Sequence, residues 1–193
     1  MAMAGAPRST AITTREPAGH CVLALAGSLR GASLNNAMLK MAGSCAPPGL
    51  HVIHYAGLGA LPLFNADLQA HEPAAVVQLR ERIALADALL IASPEYAHGV
   101  SGVMKNALDW MVASGVLVGK PVALWNASPR ATHALAALRE TLTVMSARLI
   151  DEAELQLLIT QAGPDVPPVN PDPGSMHRAL VALARLIGLV QPG

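Results

Sequence analysis

The sequence predicts an α/β fold in which a parallel sheet is covered by helices on both faces. Two short runs, Val22–Ala26 and Ala88–Ala92, are apolar throughout and bounded by turn residues, as expected of strands buried on both sides. Helical patterns with a 3.6-residue period separate the successive apolar runs, so strands alternate with helices and the crossovers should be right-handed. The composition agrees: 52% of the residues are hydrophobic and only 13% charged, which suits a large buried sheet under a helical cover.

The elements follow in order. Residues 1–18 (MAMAGAPRSTAITTREPA) hold small and polar residues with two prolines, and read as a flexible extension rather than a secretory signal. Residues 19–193 read as one domain. After the first strand, Ser33 stands at an N-cap position before a helix with a predicted stripe of Leu34, Ala37, Met38 and Met41. His51–Tyr55 reads as the second strand and Pro73–Ala86 as a helix. After Ala88–Ala92 comes a helix with Val103, Met104, Ala107, Leu108 and Met111 on one face. Pro121–Asn126 reads as the fourth strand, and Ala131–Arg148 as a long helix with Ala134, Leu135, Leu138, Leu142 and Met145 inward. A short apolar run at Leu155–Ile159, a Pro-rich loop from Gly163 to Gly174 and a last helix over 175–189 complete the chain. Too few residues follow the loop to build a second domain.

Function classes narrow at once. Net charge is zero and no basic block is present, which argues against a nucleic-acid partner. No apolar run approaches the roughly 18–20 residues that span a bilayer, so no membrane association is expected. Cys21 and Cys45, far apart in sequence, suit a reduced cytoplasmic protein better than a disulfide framework.

The richest segment is VLALAGSLRGASLNN at 22–36, a strand running through a hydroxyl-dense loop into a helix. Such a junction aims unpaired backbone N–H groups and the positive end of the helix dipole at one spot. Ser28, Ser33 and Asn35 add short polar groups, and Arg30 adds a planar fork suited to phosphate. Neither a P-loop nor a G-x-G-x-x-G fingerprint is present. A terminal phosphate monoester, such as that of a mononucleotide, fits best. The plainer alternative is an ordinary turn with a serine cap and a surface arginine.

A second and a third segment extend the argument. GSLRGASLNN resembles the G-S-x-R-x-x-S-x-N phosphate loop of the NADPH-dependent FMN reductases, whose fold is flavodoxin-like. SPEYAHGVSGVMKNALDW at 93–110 is similar to their S-P-E-Y-N-x-x-x-P-G-x-L-K-N-A-x-D-W segment, and LPLFNADL at 61–68 to their L-P-L-[YF]-x-x-D-L. The three motifs occur in the family's order. Four positions depart from it: Ala97 stands where Asn is usual, Ser101 where Pro is usual, and Thr132 and His133 where a glycine pair is usual. Loss of those glycines is expected to change how closely backbone approaches the flavin or a partner subunit.

The resemblance implies a five-stranded parallel sheet of order 2-1-3-4-5, with the loops after strands 1 and 3 meeting at one crevice. It implies bound FMN, held at Ser28, Arg30, Ser33, Leu34 and Asn35. The ring would be bordered by Pro62, Leu63 and Phe64, by Pro94, Glu95, Tyr96, Ala97 and His98, and by Ser128. NADPH or NADH would pass a hydride through the flavin to a broad acceptor such as free flavin, a quinone, an azo compound or a metal oxyanion. No catalytic acid, base or covalent nucleophile is expected, since the flavin does the chemistry; Glu95 should act through its backbone. A homodimer or homotetramer is expected, with Phe64, Trp110 and Met111 as apolar anchors. His51 and His54 fall on opposite faces of a strand, and no metal site is expected. Lys105 and Asp109 suit an i,i+4 ion pair. Arg130, just after the fourth strand, is a candidate for the 2′-phosphate of NADPH, weighed against a plain surface role. Two other readings remain at this stage: a flavodoxin-type electron carrier, disfavoured by a neutral chain with few aromatics, and a non-catalytic assembly or regulatory protein.

Overall fold

The computed structural model describes residues 19–157 and 172–188. The extension at 1–18, most of the Pro-rich loop, the end of the Leu155–Ile159 run and the last residue of the final helix lie outside these.

The central layer is a parallel sheet of β1 (His20–Ala26), β2 (Leu50–Tyr55), β3 (Ala88–Ala92), β6 (Pro121–Asn126), β7 (Arg148–Leu149) and β8 (Leu155–Gln156). Its order is β2-β1-β3-β6-β7, with β8 also pairing β6. The expected order is therefore present, but six strands stand where five were expected. The fifth position is split because a 3-10 turn at Asp151–Ala153 interrupts it. Ile150 N–H still donates to Val122 O at 2.9 Å and Leu157 N–H to Asn126 O at 2.8 Å, so both pieces follow one edge. Arg139 reaches across to Asp151 and Glu154 and fixes the interruption.

Strand alternation sorts the core into two unlike halves. Val22, Ala24, Ala26, Ala88, Ala92 and Ala123 face α1 (Leu34–Cys45) and α5 (Pro173–Leu186). Leu23, Leu25, Leu89, Ile91, Val122 and Leu124 face α2 (Ala74–Leu85), α3 (Gly102–Val112) and α4 (Thr132–Val144). The first face is rich in alanine, the second in branched aliphatics.

Two helices differ from expectation. In α1 the buried residues are Asn35, Met38, Leu39 and Ala42, while Ala37 is exposed. The stripe is turned by about one residue, roughly 100°, because polar Asn35 faces inward at the cleft and Leu34 is only half-buried. The helix predicted to run to Arg148 ends at Val144. Ser146 adopts a left-handed φ of 59°, Gly119 N–H donates to its carbonyl at 2.8 Å, and the chain turns directly into β7.

One element was not anticipated. β4 (Glu95–Tyr96) and β5 (Gly99–Val100) form an antiparallel hairpin outside the main sheet. Its two-residue turn is Ala97-His98, with φ of 48° and 60°, the paired positive values of a type I′ turn. Alanine in that region carries a steric cost of roughly 1–2 kcal/mol that asparagine partly escapes. Ala97→Asn is therefore expected to stabilise the protein by about 1 kcal/mol, raising Tm by roughly 2–4 °C for a chain of this size. A thermal melt that shows no rise, or a fall, would contradict this account of the turn.

Candidate functional site

The loops that leave the C-terminal ends of β1, β3 and β6 converge on an open cleft of ≈ 350 Å³. β1 lies between β2 and β3, so the crossovers reverse direction between β1 and β3, the switch point where an open parallel sheet leaves a crevice.

The first wall is the β1–α1 loop. Gly27 N–H continues the ladder to Ala92 O at 2.8 Å. A Cβ at Gly27 would lie 2.6 Å from Ser93 Oγ and 2.7 Å from Ser101 Oγ, so no larger residue fits without moving two loops. Ser33 opens α1 as its N-cap, its Oγ accepting from Asn36 N–H at 3.4 Å. Ser28, Arg30, Ser33, Leu34 and Asn35 all line the cleft. The Arg30 guanidinium has no hydrogen bond or ion pair among the described residues. Asn35 is 7% exposed and its Oδ1 is buried with no hydrogen-bond partner among them, a cost that a ligand donor in the cleft would remove.

Asn36, one residue on, shapes this loop from behind. Its Nδ2 donates to Ser28 O at 3.0 Å and to Arg30 O at 3.2 Å, while His54 Nε2 and its Oδ1 are 3.2 Å apart. With both amide hydrogens spent on carbonyls, Oδ1 accepts, and His54 carries its proton on Nε2. Two carbonyls that would otherwise repel an anion are thereby occupied.

The second wall comes from residues 93–101, of which Pro94, Glu95 and Tyr96 line the cleft. Tyr96 is 60% exposed and so is no core residue. Ser101, in place of the family's usual proline, caps α3 by accepting from Met104 N–H at 3.3 Å and lies 3.3 Å from Ser93 Oγ. The Glu95 carboxylate is engaged elsewhere: its Oε2 accepts from Ala134 N–H at 2.9 Å. Ala131, at the N-cap of α4, offers no side-chain acceptor, so Glu95 caps that helix from across the cleft. His98 and His133 stack with ring centroids 4.3 Å apart at 14°. The hairpin is thus tied to the α4 N-terminus at two points, one of them supplied by a residue that replaces a glycine.

The third wall is the loop after β6, where Ser128 lines the cleft beside Ala127, Arg130 and Ala131. Asn126 sets its shape: its Nδ2 donates to Ala131 O at 3.2 Å and its Oδ1 accepts from Ser128 N–H at 3.0 Å.

Five expected residues stand outside the cleft lining. Ala97 and His98 sit at the hairpin tip. Pro62, Leu63 and Phe64 lie on the loop before α2 and are held by α3. Asn106 donates to Pro62 O at 3.0 Å and accepts from Phe64 N–H at 2.8 Å, and Trp110 Nε1 donates to Pro62 O at 2.8 Å. Phe64 meets Trp110 edge to face at 5.1 Å. Trp110 and Met111 are each 1% exposed, which overturns their reading as subunit anchors: they form the floor beneath this loop. Lys105 and Asp109 make the expected ion pair, at 2.6 Å. Sequence reasoning passed over Ser93 and Asn126 as site residues. Each is the polar residue at or just beyond the end of an apolar strand, the same position as Gly27, and that rule would have found them.

Residues 21–162 match the model of the NADPH-dependent FMN reductase family. The chain is 38% identical over 146 residues to an NAD(P)H-dependent FMN reductase of Pseudomonas aeruginosa, covering 72% of this chain and 78% of that one. It is 38% identical over 111 residues to the quinone reductase of Escherichia coli, covering 55% and 59%. Among solved structures it resembles FerB, a flavoenzyme NAD(P)H:(acceptor) oxidoreductase from Paracoccus denitrificans, with a TM-score of 0.67 and 29% identity, covering 87% of this chain and 91% of that one.

The Asn36 clamp carries a pH signature. Burial, with the nearby Lys40 charge, holds His54 below its ordinary value of 6.5. The folded state binds fewer protons here than the unfolded chain, so this stabilisation is complete above about pH 6.5 and fades as pH falls through the lower folded value. Glutamine can keep the donor to Asn36 without titrating. Wild type should therefore lose Tm faster than His54→Gln as pH drops below about 6.5, and parallel curves would exclude the effect.

Proposed function

The chain belongs to the NADPH-dependent FMN reductase family, and we propose that the cleft holds FMN with its phosphate at the β1–α1 loop and its ring against residues 93–96 and 126–131. The protein is an FMN-dependent NAD(P)H oxidoreductase acting on small-molecule flavin or quinone acceptors. The observation that carries the placement is the first wall: an unpaired Arg30 fork, two buried serines and an orphaned Asn35 oxygen at one helix N-terminus. This set of donors with one acceptor fits a phosphate monoester joined to a hydroxylated chain, which is the chemistry of the FMN tail.

Bound FMN supplies the redox chemistry, a ring that takes a hydride equivalent from NAD(P)H and passes electrons to the acceptor. The protein binds and orients. Arg30 and the α1 dipole balance the phosphate charge. Ser28 and Ser33 would add hydroxyls, and the Asn35 oxygen would accept from a tail hydroxyl. The Pro94–Tyr96 backbone borders the ring. Glu95 is spent on capping α4, which agrees with a mechanism that asks no carboxylate of it. The cleft is open to solvent on one side, so reductant and acceptor use the same face in turn, and flat acceptors such as quinones or free flavin suit it.

We place residues 19–193 in one domain, and the enzyme in the cytoplasm, where the thiols of Cys21 and Cys45, which form no disulfide, would stay reduced. No helix among the described residues is long and apolar enough to cross a membrane. Leu63, at 84% exposure, and Phe64, at 38%, present apolar surface on the loop braced by Trp110, and they support a homodimer or homotetramer assembled there. Light scattering at micromolar concentration should give at least twice the chain mass; a fully active monomer would exclude the assembly.

The central test is the phosphate. Loss of a charge-assisted hydrogen bond typically costs about 1.5–3 kcal/mol, so Arg30→Ala should weaken FMN binding roughly ten- to a hundred-fold. Riboflavin, which lacks the phosphate, should bind the variant as it binds wild type. Equal losses for both flavins would reject the placement, and a wild-type protein without flavin absorbance or NAD(P)H oxidation would reject the reading.

A further inference from the structure

Two arginines line the cleft, Arg30 and Arg130. Neither guanidinium has a hydrogen bond or ion pair among the described residues. Arg80, Arg139 and Arg178 each meet a carboxylate, and Arg148 and Arg185, which like the cleft pair meet none among the described residues, lie outside the cleft lining. The cleft's one carboxylate, Glu95, is already taken by Ala134 N–H. The cleft therefore carries a second cation, on a different loop from the one at the α1 N-terminus.

The two cations also stand apart. Arg30 follows β1 and Arg130 follows β6, with β3 between them. Two strand spacings set the bases of these loops roughly 10 Å apart. Arg30 belongs to the phosphate wall and Arg130 to the ring wall. Backbone freedom at Arg130 is small, because Asn126 holds Ser128 N–H and Ala131 O on either side of it. Its side chain is exposed at the mouth of the cleft. A preset backbone with an unpaired planar fork at a site's lip suits recognition of a phosphate that arrives with a second molecule.

The second molecule in this reaction is the reducing dinucleotide. A dinucleotide whose nicotinamide met the ring of a flavin held in the cleft would carry its phosphates toward the mouth. We propose that Arg130 receives a phosphate of NAD(P)H and fixes the reductant over the ring, an inference that rests on the flavin placement above. The shared chemistry is a phosphate oxyanion, from either the 2′-phosphate of NADPH or the pyrophosphate common to both dinucleotides.

The test uses FMN-loaded wild type, Arg130→Ala and Arg130→Lys. It reads KM and kcat for NADPH and NADH, the Kd of FMN, and calorimetric binding of adenosine 2′,5′-bisphosphate and of ADP. Arg130→Ala should raise KM for NADPH about ten-fold or more, with kcat changed less than two-fold and the Kd of FMN changed far less than by Arg30→Ala. Arg130→Lys should recover part of the loss, since charge returns without the fork. A loss confined to NADPH and the 2′,5′-bisphosphate identifies the 2′-phosphate as the source. Equal losses for NADPH and NADH, with ADP weakened as well, identify the pyrophosphate. Unchanged KM values for both dinucleotides would overturn the proposal, as would a loss of FMN affinity like that of Arg30→Ala. A wild-type protein that neither keeps FMN nor oxidises NAD(P)H would instead remove the flavin reading, and the proposal with it.

Discussion

At Gly27 three pieces of chain meet with no room for a methyl group, because Ser93 Oγ and Ser101 Oγ occupy the space a Cβ would need. The close approach lets the β1–α1 loop leave the sheet beside the β3 loop instead of spreading away from it. Everything at the cleft hangs on that junction. Ser101 caps α3 from the same spot, and Gly27 N–H holds the end of β3 through Ala92 O. The loop that follows can then present its serines and its arginine toward the space where the hairpin presents Tyr96.

How the chain answers its departures from the family pattern is visible side chain by side chain. Ser101 replaces a rigid proline but supplies a hydroxyl that caps the helix, so the start of α3 is kept by a different device. His133 replaces a glycine and finds a ring to stack on in His98. Glu95 caps a helix whose own N-cap residue is an alanine. Ala97 has no compensation among these contacts and holds a left-handed backbone that its Cβ resists.

The sequence made the strands legible because a short apolar run between turn residues has few other fates in an α/β chain. The Ser33 cap and the polar loop were legible for a related reason, since capping is local chemistry that neighbouring residues decide. What stayed hidden depended on contacts distant in sequence. Nothing local says that Asn35 faces inward and turns the α1 stripe, or that Arg139 stabilises a break in the edge strand through Asp151 and Glu154. Trp110 read as core or as a dimer anchor because an indole on a helix suits either; the Pro62 carbonyl, 48 residues away, shows why it is buried within the chain. Arg130, on the loop after β6, likewise shows its place in the cleft only once Asn126 bends that loop around it.

The two ends of the cleft are secured by separate sets of bonds. Asn36 and His54 hold the loop after β1; Asn126, Glu95 and the histidine stack hold the ring side. No residue belongs to both sets. Substitutions among Asn126, Glu95, His98 and His133 therefore leave the bonds that hold the loop after β1 untouched, and the two walls of the cleft are free to drift at different rates.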